Sequence, residues 1–443
     1  MVDEEPLSAL ARAERARRIA TTFGKIYLGI KGHQFLQAQI RPKDMAQRWS
    51  RFNRTSAESI YATAVDLRGL ILKGCQFLGS RSDVLPREYV EVLSKLQDRV
   101  PPKAFPIVRS VVEFELGQPL EEVFEHFSEH PIAAASLAQV HEARIRGGER
   151  VAVKVQYPEV ARLVKSDLAN LRMLFRAVGV IERNVDIMPL IEELATYVPR
   201  ELDFVNEADN AEKAAKQFEN RDDVRVPRIH RELTTRRMLV MEFIDGVKIS
   251  DVEQLRAAGV DVHKVMQTLV EAYCEQVLVH GFFHADPHPG NLLVEPGSSR
   301  LVMLDFGLAK DLPPGFREAV VRVAMALIQN DADGLATALF DMGFETRSGQ
   351  RDALAEAARF FLDFAARFRE KPFADPRLFE ELNDDLPEMI RQNPIVKVPG
   401  HVVLLGRVLG LLSGLSRTLG SRVDLLRTLM PYVLGQRGPE SKA

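Results

Sequence analysis

Two short motifs in the second half of the chain constrain its fold more than any other feature. The first reads His-Ala-Asp-Pro-His-Pro-Gly-Asn over residues 284–291 and places Asp286 and Asn291 five positions apart. The second, Asp-Phe-Gly, begins at Asp305, fourteen residues after Asn291. Between them, two apolar runs flank a Pro-Gly-Ser-Ser turn at 296–299, and this pattern predicts a β-hairpin that joins the motifs.

This spacing is typical of a kinase catalytic loop, in which Asp286 would take the acceptor proton and Asn291 would hold magnesium. Asp305 would supply the second metal contact. Magnesium prefers oxygen ligands, which carboxylates and amides provide, and it neutralises the charge of a transferred phosphoryl group. Two ordinary loops are the alternative. Asp-Phe-Gly alone would be weak evidence, but both motifs in order favour ATP or ADP with Mg as the bound cofactors.

A lysine inside an apolar strand supports the same interpretation. Residues 151–155 read Val-Ala-Val-Lys-Val, and a charge there is costly unless it is paired. In a kinase, Lys154 would contact the α- and β-phosphates and a Glu on the following helix. Taken alone, the run fits a solvent-facing Lys on an edge strand equally well. Residues 237–244 predict a strand that leads into a hinge, where backbone groups near Glu242 and Phe243 would hold the adenine.

The usual glycine-rich phosphate loop does not precede Lys154. An alanine-rich segment occupies its place, and alanine carries a Cβ that keeps the backbone farther from phosphate and makes positive φ costly. We therefore expect the nucleotide to bind in a different pose from that in ordinary protein kinases. The predicted nucleotide-binding loop comprises Ile132, Ala133, Ala134, Ala135, Ser136, Leu137, Ala138, Gln139 and Val140.

These motifs, together with Glu-Leu-Asp-Phe at 201–204 and Gln-Phe-Leu at 76–78, resemble the AarF/UbiB family of atypical kinases over about residues 65–420. The resemblance implies an α+β, bilobal, protein-kinase-like fold. It predicts a helical N-terminal extension at 1–127, a small lobe at 128–248 and a large, mostly helical lobe at 249–443.

In this family the N-terminal extension carries a Lys-x-Gly-Gln motif that folds over the nucleotide site. Here the chain reads Lys-Gly-Cys-Gln, so Lys73 and Gln76 keep their positions while Cys75 replaces the glycine. Lys73 and Gln76 are therefore predicted regulatory residues. If the glycine serves close helix packing, Cys75 would push the extension slightly away and loosen autoinhibition.

Three carboxylates after Lys154 need cationic partners. Our assignment pairs Glu207 with Lys154, and Glu201 and Asp203 with Lys73. The sequence also allows the opposite assignment of these carboxylates to the two lysines, since Lys154 needs only one helical Glu.

The resemblance also implies a role in ubiquinone biosynthesis or isoprenoid-lipid homeostasis, with phosphoryl transfer to water or to a small lipid-like acceptor. A lipid or quinone precursor is thus a candidate partner beside the nucleotide. The residues themselves argue against a protein kinase, because no Ala-Pro-Glu follows Asp-Phe-Gly and Ala285 replaces the Arg that reads a phosphorylated activation loop. A nucleotide-gated scaffold or lipid-binding chaperone is the alternative, and a kinase of soluble metabolites is a weaker one.

Charge and hydropathy limit the remaining partners. The net charge of −3 argues against nucleic acid as an obligate partner. No window of ~18 uncharged apolar residues predicts a transmembrane helix, because Arg407 interrupts the best candidate at 402–415. We expect a cytoplasmic chain that is soluble or peripheral to the inner face of a membrane. Residues 7–30 carry an arginine cluster suited to peripheral membrane contact, although a solvated helix face is the simpler interpretation.

Overall fold

The computed structural model describes residues 8–37, 42–67, 69–79, 85–97, 102–181, 195, 198–199, 202–346, 349, 354–359, 362, 395–421 and 423–435. The chain divides into two compact units. The first comprises Met1–Ala208 and Ile229–Phe243, and the second comprises Asp209–Arg228 and Ile244–Ala443. The predicted helical extension and most of the predicted small lobe therefore belong to the same unit, whereas residues 209–228 and 244–248 of that predicted lobe belong to the second.

Helices form one layer of the first unit. They are α1 (Ala9–Gln37), α2 (Pro42–Leu67), α3 (Gly69–Gly79), α4 (Arg87–Leu93), α5 (Phe105–Leu116), α6 (Leu120–Val123), α7 (Val160–Ile181) and the start of α8 (Phe204–Gln217). The sequence predicts a helix over 56–79, and the structure divides it into α2 and α3. Gly69 has a left-handed φ of 57°, and a Cβ there would lie 3.2 Å from the Leu163 Cβ, so the break requires glycine.

A buried apolar cluster holds α1, α2, α3, α4 and α7 together. Cys75 is part of it and is 4% exposed, so this residue packs into the helical core. Burial raises the pKa of its thiol to about 12, which makes it a small apolar side chain rather than a nucleophile.

A buried ion pair fixes α1 to α7. Arg15 donates to both carboxylate oxygens of Asp167, at 3.0 and 2.6 Å, and also to the Leu67 carbonyl at 2.7 Å. The Asp167 side chain is fully buried, and burial raises its pKa while Arg15 opposes that rise. This bidentate contact therefore compensates a charge that would otherwise be costly inside the unit.

Replacing Arg15 should destabilise the first unit in a pH-dependent way. Arg15→Ala leaves the Asp167 carboxylate buried without its cation, at an expected cost of about 3 kcal/mol near neutral pH. The pKa of Asp167 in the folded state then lies above its unfolded value, so stability falls as pH rises through that interval. Thermal unfolding at pH 4.5 and 7.5 should show the larger loss at pH 7.5. Arg17→Ala, which removes an exposed arginine of the same helix, is the control; equal losses at both pH values would contradict the argument.

An antiparallel sheet forms the rest of the first unit. Its strands are β1 (Phe124–Phe127), β2 (Ala133–Ala134), β3 (Ala138–Ile145), β4 (Arg150–Gln156) and β6 (Met238–Glu242), in the order β1-β3-β4-β6 with β2 beside β3. Alternate β4 residues, including Val151, Val153 and Val155, are buried in a core shared with α5. Lys154 therefore lies on the opposite face.

The sequence predicts one or two helices over 104–127, with a break at Gly117-Gln118-Pro119. The helical prediction is wrong for residues 124–127. They form β1, which pairs with β3, because Phe124 and Phe127 are both buried in the core between the sheet and α5. The break predicted at Gly117-Gln118-Pro119 is confirmed, since α5 ends with Gly117 in a left-handed conformation.

The described part of the second unit contains three small sheets and a set of helices. The strands are β5 (Val224–Arg225), β7 (Val247–Lys248), β8 (Phe282–His284), β9 (Leu292–Val294), β10 (Leu301–Met303), β11 (Ala309–Asp311), β12 (Glu345–Thr346) and β13 (Ile395–Lys397). A four-stranded sheet has the order β5-β10-β9-β7, β8 pairs with β11, and β12 pairs with β13. The helices are the remainder of α8, α9 (Val252–Ala257), α10 (Val262–Glu275), α11 (Phe316–Gln329), α12 (Ala332–Asp341), α13 (Gly400–Leu419) and α14 (Leu425–Val433).

The antiparallel pairing of β9 with β10 confirms the predicted hairpin.

α13 is the one helix in the described parts of the chain that is long and apolar enough to cross a membrane by those two criteria. About a third of its most apolar window is buried within the protein (33%). Leu404, Val408, Leu412 and Leu415 form its buried stripe, and the helix packs against α10. Such a pattern is also typical of a core helix.

Candidate functional site

In the first unit, Lys154 forms a buried ion pair with Glu207. The Lys154 Nζ lies 2.7 and 2.8 Å from the two carboxylate oxygens, and the side chains are 11% and 4% exposed. The ammonium also lies 5.2 Å from the centre of the Phe204 ring. Strand β4 positions the lysine and the first turn of α8 positions the carboxylate. The pairing assigned from the sequence is therefore present, and the charge on the strand is compensated.

The structure describes the side chains of only some of the other predicted regulatory residues. Asp203 immediately precedes α8, and its Oδ1 accepts from the Val205 N–H at 3.1 Å, which caps the helix. Its other oxygen lies 3.6 Å from Arg236. Glu201 and the side chains of Lys73 and Gln76 lie outside the described residues, so the pairing of Lys73 stays a prediction.

The alanine loop is a tight turn between β2 and β3. Ile132 and Ala135 donate to the carbonyls of Val140 and Ala138, both at 2.8 Å. Ile132, Ala133 and Ala135 are exposed, whereas the four residues Ser136–Gln139 are buried. Because Val140 pairs directly with Lys154, these two side chains share a face of the sheet. The part of the predicted loop that is accessible to a nucleotide is thus Ile132–Ala135.

Gln139 has a different role from the one its neighbours suggest. Its Oε1 accepts from the Lys103 N–H at 2.8 Å, and its amide donates to His141 at 2.8 Å. His141 donates in turn to the Ser128 carbonyl at 2.7 Å, and burial lowers its pKa, which favours the neutral ring. Gln139 and His141 lie on the face opposite Lys154. This buried network ties the loop to the segment before α5 instead of presenting Gln139 to a ligand.

The predicted hinge begins at the end of β6. The Phe243 N–H donates to the Arg150 carbonyl at 3.1 Å, and the Arg150 guanidinium lies 4.3 Å from the Phe243 ring centre. Glu242 pairs with Val151 in the sheet. An adenine contact in this segment would therefore use backbone groups other than the Phe243 N–H.

In the second unit, His284 supports the predicted catalytic loop. Its Nε2 donates to the Leu304 carbonyl at 3.0 Å, and its Nδ1 accepts from the Asp286 N–H at 3.1 Å. Its ring packs edge-on against Phe306 at 4.9 Å. One buried imidazole thus fixes the backbone beside both motifs. Sequence reasoning passed over this residue, although His284 begins the first motif.

The hairpin brings the two predicted metal ligands to the same end. The Leu304 N–H donates to the Asn291 carbonyl at 2.8 Å, and the Asn291 amide donates to the Asp286 carbonyl at 3.2 Å. Asp305 has a left-handed φ of 57°, which costs a non-glycine residue about 1–3 kcal/mol and is typical of functional positions. The surrounding contacts hold this conformation, including one from the Gly307 N–H to Asp305 Oδ1 at 3.3 Å.

The donor chemistry fits magnesium that is bound together with phosphate. The described residues contain no cluster of three or more His, Cys, Asp or Glu side chains able to hold a metal alone. Magnesium is commonly bound by one or two carboxylates plus substrate phosphates, with water completing the shell. Asn291 and Asp305 provide hard oxygen donors of that kind.

The structure adds Arg407, which the sequence showed only as an interruption in an apolar run. Its Nη2 lies 2.8 Å from Asp286 Oδ1, and the two side chains are 9% and 23% exposed. The buried Tyr273 lies nearby, with its hydroxyl 3.4 Å from His284 Nδ1. Burial raises the pKa of Tyr273 well above its ordinary value; the charge of Asp286 adds to this rise and that of Arg407 opposes it. In the sequence, the position of Arg407 within an apolar helix was the signal that could have identified it as a functional residue.

Comparisons with a family model and with known proteins find several similarities. A family model described as the ABC1 atypical kinase-like domain matches residues 95–339. The protein named ACTIVITY OF BC1 COMPLEX KINASE 8, chloroplastic, of Arabidopsis thaliana is 36% identical over 82% of this chain, but the match spans only 51% of that relative. AarF domain-containing protein kinase 1 of Mus musculus is 33% identical, with 86% of this chain and 73% of the relative covered.

A solved structure has the same fold. The Rv3197–erythromycin complex from Mycobacterium tuberculosis matches with a TM-score of 0.61 and 22% identity, covering 86% of this chain and 97% of that one. This likeness supports a kinase-like α+β architecture.

Proposed function

This chain belongs to the ABC1 atypical kinase-like family, and on that premise we propose that it is an ATPase or small-molecule kinase that uses ATP with magnesium. The observation that carries the proposal is the ion pair between Lys154 and Glu207. A buried Lys154–Glu207 pair holds the ammonium in a fixed position, where a phosphate can be bound without a large ordering cost.

The predicted site residues would contribute defined chemistry. Lys154 would bind the α- and β-phosphates, and Asn291 and Asp305 would hold magnesium, which supplies charge neutralisation when it is bound. Asp286 would take the proton of the acceptor. The acceptor would be water or a small lipid-like hydroxyl, because the sequence landmarks for docking a peptide are absent. We propose that this activity supports isoprenoid-quinone biosynthesis or lipid homeostasis.

Peripheral membrane contact receives little support from α1. Three arginines of the predicted cluster are in ion pairs within the first unit: Arg15 with Asp167, and Arg17 and Arg18 with Glu14. Their charge is therefore largely compensated, which weakens attraction to an anionic lipid surface.

The proposal predicts nucleotide-dependent stabilisation of the protein. ATP or ADP with magnesium should raise the thermal midpoint, because a ligand that binds only the folded state stabilises it by mass action, by about 2.7 kcal/mol at a hundred times Kd. The measurement is thermal unfolding with each nucleotide, with and without magnesium. A nucleotide-independent midpoint would contradict the proposal.

A nucleotide-gated scaffold is the second candidate function. In that case the contact between Arg407 and Asp286 would keep the predicted base from an acceptor, because the base already accepts a hydrogen bond from a protein side chain. Nucleotide binding with slow turnover that rises on adding a lipid or quinone-precursor mimic would favour the scaffold.

A further inference from the structure

The predicted catalytic loop has no basic residue except histidine. Residues 284–291 contain no Lys or Arg. His288, two positions after the predicted base, accepts from the Gly290 N–H through Nδ1 at 3.1 Å and caps its own turn. The cation beside Asp286 instead comes from Arg407, on α13 and 121 residues away in the chain.

The guanidinium of Arg407 is not fully used by this contact. Only Nη2 donates to Asp286, although a guanidinium and a carboxylate can form two parallel hydrogen bonds. The side chain is 9% exposed, and its buried Nε–H has no acceptor among the described residues. Buried donors are normally satisfied, and an unsatisfied charged one is costly. A group that binds here would therefore be an acceptor, and an anion would be favoured.

We propose that Arg407 is a catalytic residue that binds the transferred phosphoryl group, an inference that rests on the proposed function. For transfer, the acceptor oxygen must lie about 2.6–3.2 Å from Asp286 and about 3–3.5 Å from the γ-phosphorus. The phosphoryl oxygens then come within reach of a guanidinium that already contacts Asp286.

The chemical step balances with these groups alone. The acceptor oxygen forms a bond to the γ-phosphorus, and the bond from that phosphorus to the β–γ bridging oxygen breaks. ADP leaves with the electron pair, and Asp286 takes the acceptor proton. Arg407 stabilises the charge on the phosphoryl oxygens, as an arginine supplied by the same chain does in other phosphotransferases.

A purely inhibitory contact would have a different geometry. A restraint that locks Asp286 would be expected to use both edges of the guanidinium and leave no donor unsatisfied. The single contact leaves Asp286 Oδ2 unpaired with the guanidinium and leaves the buried Nε–H without an acceptor among the described residues. The observed arrangement therefore favours participation in transfer.

The test compares Arg407→Ala and Arg407→Lys with Arg417→Ala, which removes an exposed arginine from the same helix. Three quantities are measured: the thermal shift with MgADP, the additional shift when aluminium fluoride is added as a phosphoryl mimic, and the turnover of MgATP in water. Guanidinium ion is then added to the Arg407→Ala protein.

We expect Arg407→Ala to keep the MgADP shift, lose the additional aluminium fluoride shift and lose about 10²–10³-fold in kcat. Guanidinium should restore part of that turnover, while Arg417→Ala behaves as the wild type. Turnover equal to or above the wild type in Arg407→Ala, with the MgADP shift intact, would overturn the assignment alone. No nucleotide shift in the wild type would overturn the proposed function and this inference with it.

The lysine variant covers the case in which Arg407→Ala does not fold. Lysine keeps the charge but not the planar set of donors, so a loss of about tenfold or more in turnover is expected. Wild-type turnover in Arg407→Lys would overturn the assignment.

Discussion

Asp305→Asn should abolish magnesium-dependent ATP turnover, with a loss of about three orders of magnitude or more in kcat. The substitution removes the one predicted metal ligand that carries a charge, and a metal ion supplies several kcal/mol of stabilisation to a phosphoryl transition state. Asparagine tolerates the left-handed backbone of this position and can still accept from the Gly307 N–H. The fold should therefore be preserved, and the loss should come from the metal site.

The measurement is steady-state hydrolysis over a series of magnesium concentrations, together with thermal shifts. Asp311→Asn provides a matched control. This exposed Asp lies on β11, six residues after Asp305, and pairs with Lys213. It should retain turnover. Full magnesium-dependent activity in Asp305→Asn would show that the metal is held elsewhere.

Lys154→Met should strongly destabilise the first unit, with a loss of about 3–5 kcal/mol in its free energy of unfolding. The methionine fills a similar volume, but the Glu207 carboxylate, whose side chain is 4% exposed, would lose the ammonium that compensates its charge. Nucleotide turnover should also be lost, because the predicted phosphate contact is removed.

A double variant separates stability from activity. Lys154→Met combined with Glu207→Gln removes the uncompensated charge, so it should recover part of the lost stability and none of the turnover. Denaturant unfolding of the two proteins is the measurement. Lys103→Met is the control, because the Lys103–Glu159 pair is about a quarter exposed on each side and such pairs contribute ~1 kcal/mol or less. A double variant no more stable than Lys154→Met would contradict the reasoning.

The sequence was most informative where the chemistry is local. The hairpin between the motifs and the strand that carries Lys154 follow from alternation and turn residues, and the structure shows both. The choice of Glu207 as the partner of Lys154 also agrees with the structure. In each case the determining residues lie within one element or in a familiar order along the chain.

Contacts between distant elements were harder to infer. Arg407 lies 121 residues from Asp286, beyond the 95–339 segment that the family model matches, and nothing in the local pattern links the two. The strand Val224–Arg225 falls within the predicted small lobe at 128–248 but pairs with β10 of the second unit. Gln139 was predicted to belong to the nucleotide-binding loop, but the strand register places it on the face opposite Lys154. In all three cases, the contacts with distant elements determine the structure, and local sequence propensity does not reveal them.

The buried second half of the alanine loop has a thermodynamic consequence. Glycine-rich loops are mobile when empty, so ordering them on a ligand loses conformational entropy. Here Ser136–Gln139 are already buried, and Gln139 is anchored to the Lys103 backbone. A loop that is ordered in advance gives up little freedom on binding, but it adapts poorly to a differently shaped ligand. This anchoring therefore favours a loop that selects ligands of one shape over a loop that accommodates many shapes.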